Sequence, residues 1–177
     1  MGPNREPYSD NLGEQLSPLV LTKNRLKNAG IIAILRGQNP SKLFERGIAL
    51  AKIGCTAIEV SLDSKDALQI IQRLRTELSD TIQIGVGTVL ERSQIKACSE
   101  AGATFALSPT LPEGMIEDCH ANDILAIPGV CNLVELHIAQ KAGAQIVKLF
   151  PSTEWISEEL VDVRIPWIPV GSIDNES

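Results

Sequence analysis

Three segments of this chain repeat one pattern, a helical run that stops at glycine and is followed by a short apolar strand. They are Ala51-Lys52-Ile53-Gly54, Glu100-Ala101-Gly102 and Lys141-Ala142-Gly143. Glycine ends a helix well because it enters the left-handed region without a Cβ penalty. Five residues beyond the three glycines stand Glu59, Leu107 and Lys148, so a carboxylate and an amine fall at equivalent points of equivalent strands. Helix and strand also alternate elsewhere in the chain. That alternation requires a parallel sheet, and right-handed crossovers leave a closed barrel or an open doubly wound sheet. In a barrel, alternate strands supply side chains to one interior layer. Glu59 and Lys148 are then expected to face each other.

The first strand is expected over Ile31 to Arg36, an apolar run buried on both faces with a cation at its C-terminal end. Before it, Ser17 caps a helix that Pro18 opens and Gly30 stops. Pro40 opens the next helix, to about Ile53. Further strands are expected at 57–62, 82–88, 104–107, 124–127, around Lys148, and at 167–171. Helices are expected at about 66–78, at about 112–121, and from the capping pair Asn132 and Glu135 to about 142. Trp155 to Val161 is at most a short helix, and Pro128-Gly129 halts the fifth strand. Gly85-Val86-Gly87 fails as a dinucleotide fingerprint, because Leu90 stands where a third glycine belongs. The glycines instead predict a close approach of the strand backbone to a ligand or neighbour.

Arg36, Thr88, Pro109, Pro128, Phe150 and Gly171 gather at strand C-terminal ends, the face where barrel active sites lie. Lys148 sits in Ile146-Val147-Lys148-Leu149-Phe150-Pro151. Burial there lowers an amine's pKa and favours the neutral form that attacks carbonyls. Alone, it also reads as a lysine whose stem lies on the core and whose head reaches water. The equivalent placement of Glu59 favours chemistry, since an acid opposite the amine can shuttle protons. Arg36 can hold a carboxylate or phosphate, or be a solvated strand-end charge.

At 177 residues the chain suits one domain, read as 17–177 behind a flexible tail over 1–16. It falls short of the roughly 200 to 250 residues usual for a complete (β/α)8 barrel. With 44% hydrophobic, 21% charged and 3% aromatic residues and a net charge of -6, it has no basic cluster or stacking surface, which argues against nucleic acid and membrane partners. Cys55, Cys98, Cys119 and Cys131 lie far apart, His120 and His137 are unpaired, and no metal site is expected. Reduced thiols and the lack of a signal or membrane segment set the expectation of a cytoplasmic protein.

Six motifs in order, Ile58-Glu59-Val60, Gly85-Val86-Gly87-Thr88-Val89, Ser108-Pro109, Ile127-Pro128-Gly129, Val147-Lys148-Leu149-Phe150-Pro151 and Pro169-Val170-Gly171-Ser172, resemble the 2-keto-3-deoxy-6-phosphogluconate / 4-hydroxy-2-oxoglutarate aldolase family. The resemblance implies a (β/α)8 barrel, commonly trimeric, that cleaves a 2-keto-4-hydroxy acid through a lysine Schiff base without metal or other cofactor. Lys148 becomes the Schiff-base lysine and Glu59 its acid/base partner. Thr88, Pro109 and Phe150 line the pyruvyl pocket, and Gly171 and Ser172 contribute to phosphate binding. Departures are Asp63 after Leu62, where the family commonly has a carboxylate-binding arginine, and Ser172 in place of a glycine. Asp63 is expected to repel an anionic substrate, with Arg36 as a substitute. The eighth strand and its phosphate turn are not found, so a short unphosphorylated substrate is expected to suffer least. The competing reading is a non-catalytic partial barrel with at most an assembly role; a thiamine-phosphate-synthase relative is disfavoured for want of a metal-binding carboxylate set.

Overall fold

The computed structural model of the protein describes residues 16–152 and 165–170. The expected short helix at Trp155 to Val161, nearly all of the expected tail, and Gly171 and Ser172 lie outside the described residues. Strands β1 (Ala33–Leu35), β2 (Ala57–Ser61), β3 (Gln83–Gly87), β4 (Phe105–Leu107) and β5 (Leu125–Ile127) pair in chain order, all parallel. A second parallel set follows, β6 (Gly129–Val130), β7 (Val147–Leu149) and β8 (Trp167–Pro169).

Pro128 does not stop the fifth strand, as its sequence suggests; it divides it. Proline has no N–H to give a ladder, but its carbonyl still accepts. Lys148 N donates to Pro128 O at 2.8 Å, and Gly129 N donates to Thr110 O at 3.0 Å. β5 therefore meets β4 on one side while β6 meets β7 on the other. The eight short strands form seven rails in the neighbour order of a (β/α)8 barrel. Among the described residues nothing pairs β8 with β1.

Helix α1 (Pro18–Ala29) precedes β1, and α2 (Pro40–Lys52), α3 (Ala67–Glu77), α4 (Ile95–Glu100), α5 (Met115–Ala121) and α6 (Leu133–Lys141) stand between successive rails. Gly54, Gly102 and Gly143 have φ of 94°, 90° and 90°, and after each the next amide reaches back five residues to a helix carbonyl. The three bonds, Cys55 to Leu50, Ala103 to Cys98 and Ala144 to Ala139, are each 3.0 Å. This is one helix stop used three times. α5 ends alike, with Ile124 N on Cys119 O at 2.9 Å, but Asp123 at φ 57° stands in the glycine's place. A short polar side chain tolerates that conformation.

Period-two alternation sorts the strand residues into two layers. Ile58, Val60, Ile84, Val86, Ala106, Ala126, Val147 and Leu149 face outward and pack on Ile70, Ile71 and Leu74 of α3, Ile95 of α4, Ile116 of α5 and Leu136 of α6. Ala57, Phe105, Leu107, Leu125, Ile127 and Ile146 face inward and pack with Leu26 of α1. Each fully buried Leu or Ile contributes about 1.5 to 3 kcal/mol, so both layers hold the rails firmly. The expected first strand is not fully buried: Ile31, which precedes β1, is 70% exposed, and Ile34 within β1 is 48% exposed. Among the described residues β1 pairs only with β2, and Ile34 borders the cavity described next, so there neither is covered from both sides.

Candidate active site

Glu59 occupies the centre of β2, and because Ile58 and Val60 belong to the outer layer, its side chain is left on the inner face. It is only 4% exposed. Its register partner on β3 is Gly85, and Gly87 lies one step beyond. A Cβ on Gly87 would overlap the Glu59 carboxylate, and one on Gly85 would overlap the Phe105 ring. The close approach expected of the Gly85-Val86-Gly87 backbone is thus to neighbouring side chains. No described residue hydrogen-bonds the Glu59 carboxylate. Burial pushes its pKa up to about 7, against the pull of Lys148 and Arg36 and with a small push from Asp63.

Lys148 enters the same interior from β7, held between the buried Val147 and Leu149. Its pKa is lowered, first by burial and then by Arg36, while Glu59 opposes the shift. Nζ lies 4.3 Å from the centroid of the Phe150 ring. Two groups of opposite sign, each driven by desolvation toward its neutral form, therefore face one space. That is an arrangement in which a proton can pass between acid and base.

Arg36 follows β1 and crosses toward β2 and β3. Its Nη2 donates to Ser61 Oγ at 3.1 Å and to Thr88 Oγ1 at 3.0 Å, and its Nε donates to Ser61 Oγ at 3.3 Å. Ser61 and Thr88 hydroxyls are themselves 2.7 Å apart. Thr88 adopts φ 58°, an outlying conformation for a β-branched residue. Its neighbours are pinned, since Gly87 O accepts from Leu62 N at 2.9 Å and Val89 N donates to Leu107 O at 3.1 Å. Asp63, expected to repel an anionic substrate, instead pairs with Arg36, Oδ2 to Nε 3.2 Å.

Ile34, Arg36, Glu59, Thr88, Pro109, Lys148, Phe150 and Val170 line one cavity of about 380 Å³. All the sequence-predicted site residues that are described meet here. Gly171 and Ser172 follow Val170 outside the described residues. Sequence reasoning missed Ser61, which its two-residue offset from Glu59 along a strand could have revealed. A larger cleft of about 540 Å³ between α1 and β8 has, among the described residues, Lys27 as its sole charged lining residue. Among the described residues no cluster of three or more His, Cys, Asp or Glu could hold a metal ion, and no helix is long and apolar enough to cross a membrane.

The family model for KDPG and KHG aldolase matches residues 22–163. The 2-dehydro-3-deoxy-6-phosphogalactonate aldolase of Escherichia coli K12 is 32% identical over 123 residues, 70% of this chain and 60% of that protein. This chain spans 54–60% of the length of the first curated relatives it matches. Among solved structures, native KDPGal is 29% identical with a TM-score of 0.73, over 80% of this chain and 72% of that one. A KDPG aldolase from Legionella pneumophila, solved with pyruvate captured at low pH as a covalent carbinolamine, is 24% identical. It shares the fold, with a TM-score of 0.74 over 89% of this chain and 77% of its own.

Proposed function

Because the chain belongs to the KDPG and KHG aldolase family, we propose that it is a Schiff-base aldolase cleaving a 2-keto-4-hydroxy acid to pyruvate and an aldehyde. The observation that carries this reading is the shared cavity of Glu59, with its pKa raised to about 7, and Lys148, with its pKa lowered. The chemistry follows from those two groups. Neutral Lys148 adds through Nζ to the C2 carbonyl, and the proton that Nζ sheds passes, directly or through Glu59, to the oxygen, which becomes the carbinolamine hydroxyl. Protonated Glu59, directly or through a water, protonates that hydroxyl as it leaves as water, giving the protonated imine. Glu59, now ionised, accepts the proton of the 4-hydroxyl. The C3–C4 bonding electrons flow into the imine, and the aldehyde departs. Glu59 returns its proton to C3 of the enamine, and water hydrolyses the protonated imine to pyruvate and free Lys148, the proton released going back to Glu59. A carboxyl titrating near neutrality suits both directions of transfer.

Arg36, with Thr88, receives the substrate carboxylate in this reading. Both N–H donors of its Nη1 remain uncommitted among the described residues, while Nε and Nη2 are held. Pairing with Arg36 leaves Asp63 less able to repel an anion, which removes one motive for a non-catalytic partial barrel. The aldehyde half is glyceraldehyde 3-phosphate or glyoxylate, from 2-keto-3-deoxy-6-phosphogluconate or 4-hydroxy-2-oxoglutarate. Release of pyruvate from each, coupled to NADH oxidation by lactate dehydrogenase, tests the reading. Wild type should turn over at least one and Lys148→Met neither; a folded wild type that cleaves neither contradicts it.

The working form is a cytoplasmic homo-oligomer, a trimer by family resemblance. Supporting this, α6 leaves Leu133, Val134 and Ile138 exposed together, a set of apolar side chains more typical of an interface than of bare surface. Light scattering checks the assembly: a monodisperse monomer would contradict it.

A further inference from the structure

We propose that Ser61 is a positioning residue, the buried hydroxyl that fixes the Arg36 guanidinium so that Nη1 is presented to the carboxylate of a 2-keto acid. The inference rests on the aldolase reading and on Arg36 as the carboxylate receiver. Arg36 needs such an anchor. It follows a three-residue strand that among the described residues is paired on one side alone, its side chain is 59% exposed, and a long side chain loses much rotamer freedom when it is held in one geometry. Ser61 is fully buried at the end of β2, on the same inner face as Glu59 two residues earlier. Among the described residues its oxygen is the only one bonded by two nitrogens of the guanidinium, Nε at 3.3 Å and Nη2 at 3.1 Å. Two bonds from one edge of the planar fork to a single buried oxygen, together with the Nη2 bond to Thr88, restrict how far the guanidinium can swing.

The same hydroxyl meets Thr88 Oγ1 at 2.7 Å, which couples Arg36 to the strained turn that ends β3. Asp63 adds an ion pair from the solvent side, where screening weakens it more than it weakens the part-buried bonds to Ser61. Removing the Ser61 hydroxyl leaves every charge in place. The effect on an anionic ligand therefore has one sign: a looser guanidinium and weaker binding. Removing Asp63 would mix lost positioning with lost repulsion.

The test uses the full chain and two readouts. In steady state, Ser61→Ala should raise KM for the keto acid about tenfold, the loss of a partly screened hydrogen bond to a charged group, with kcat within about twofold. Ser61→Thr, which keeps the hydroxyl, should restore most of it. In a Lys148→Met background, where no imine can form, pyruvate binding followed by NMR titration should weaken by a similar factor when Ser61→Ala is added. Unchanged KM in folded Ser61→Ala, equal pyruvate affinity with and without it, or no pyruvate binding by Lys148→Met would each overturn the proposal. A wild type without turnover would instead contradict the aldolase reading, while the titration would still decide the role of Ser61.

Discussion

The carboxylate of Glu59 fills the space that Gly87 leaves by having no side chain. The glycine on one rail and the acid on the next therefore form a single unit, and the position of the acid depends on its neighbour. Gly87→Ala should push Glu59 out of line. Overpacking costs about 1 to 3 kcal/mol of stability, and loss of proton transfer lowers kcat by about 10² to 10⁴-fold. Gly85→Ala, which meets the Phe105 ring, should cost comparable stability. Thermal melts and turnover on both variants check this. A Gly87→Ala protein with wild-type kcat would break the link.

Stability should fall as pH rises from about 4.5 through about 7, because Glu59 titrates at 4.5 when unfolded and about 7 when folded. In that window the folded state binds more protons than the unfolded one, so raising the pH favours unfolding. The contribution is up to about 3 kcal/mol, and Glu59→Gln should flatten that part of the profile. Lys148 acts oppositely at alkaline pH: its folded pKa lies below 10.5, so stability rises as pH climbs toward 10.5. Denaturant midpoints across pH for wild type and Glu59→Gln read both signs. An unchanged slope in the variant would refute the assignment.

Thr88 holds a backbone conformation that suits glycine better than a β-branched residue. Thr88→Gly should relieve strain on the order of 1 kcal/mol, enough to offset much of the lost hydroxyl contact to Ser61 and Arg36. The variant should melt near wild type while its KM for the keto acid rises. A variant that melts far lower with unchanged KM would mean that Thr88 is structural alone.

Phe150 lies against the Lys148 ammonium. Phe150→Leu removes a contact worth about 0.5 to 1 kcal/mol to the charged amine, so the lysine should lose its proton at a lower pH. The pH dependence of imine formation should shift downward, while a shift upward or none would contradict the contact's role.

The barrel order was legible because Gly54, Gly102 and Gly143 repeat one helix stop at one distance from the following strand, and the register that sets Glu59 against Lys148 follows from it. Asp123 was opaque, since only its φ reveals that it ends α5 as a glycine would. Pro128 misled because a missing donor reads as the end of a strand, whereas here its carbonyl keeps the rail paired. The exposure of β1 depends on what does or does not pair with it, which an apolar run cannot express. For the site, residue chemistry picked out Lys148, Glu59 and Arg36, but the pairing of Asp63 with Arg36 and the hub at Ser61 require side chains in three dimensions.

The most direct test of the account is to treat the protein with pyruvate and borohydride and map the modified peptide by mass spectrometry. Reduction of the imine should leave the adduct on Lys148, Lys148→Met should carry none, and Glu59→Gln should form it more slowly. An adduct on another lysine, or none in a folded sample, would contradict the account.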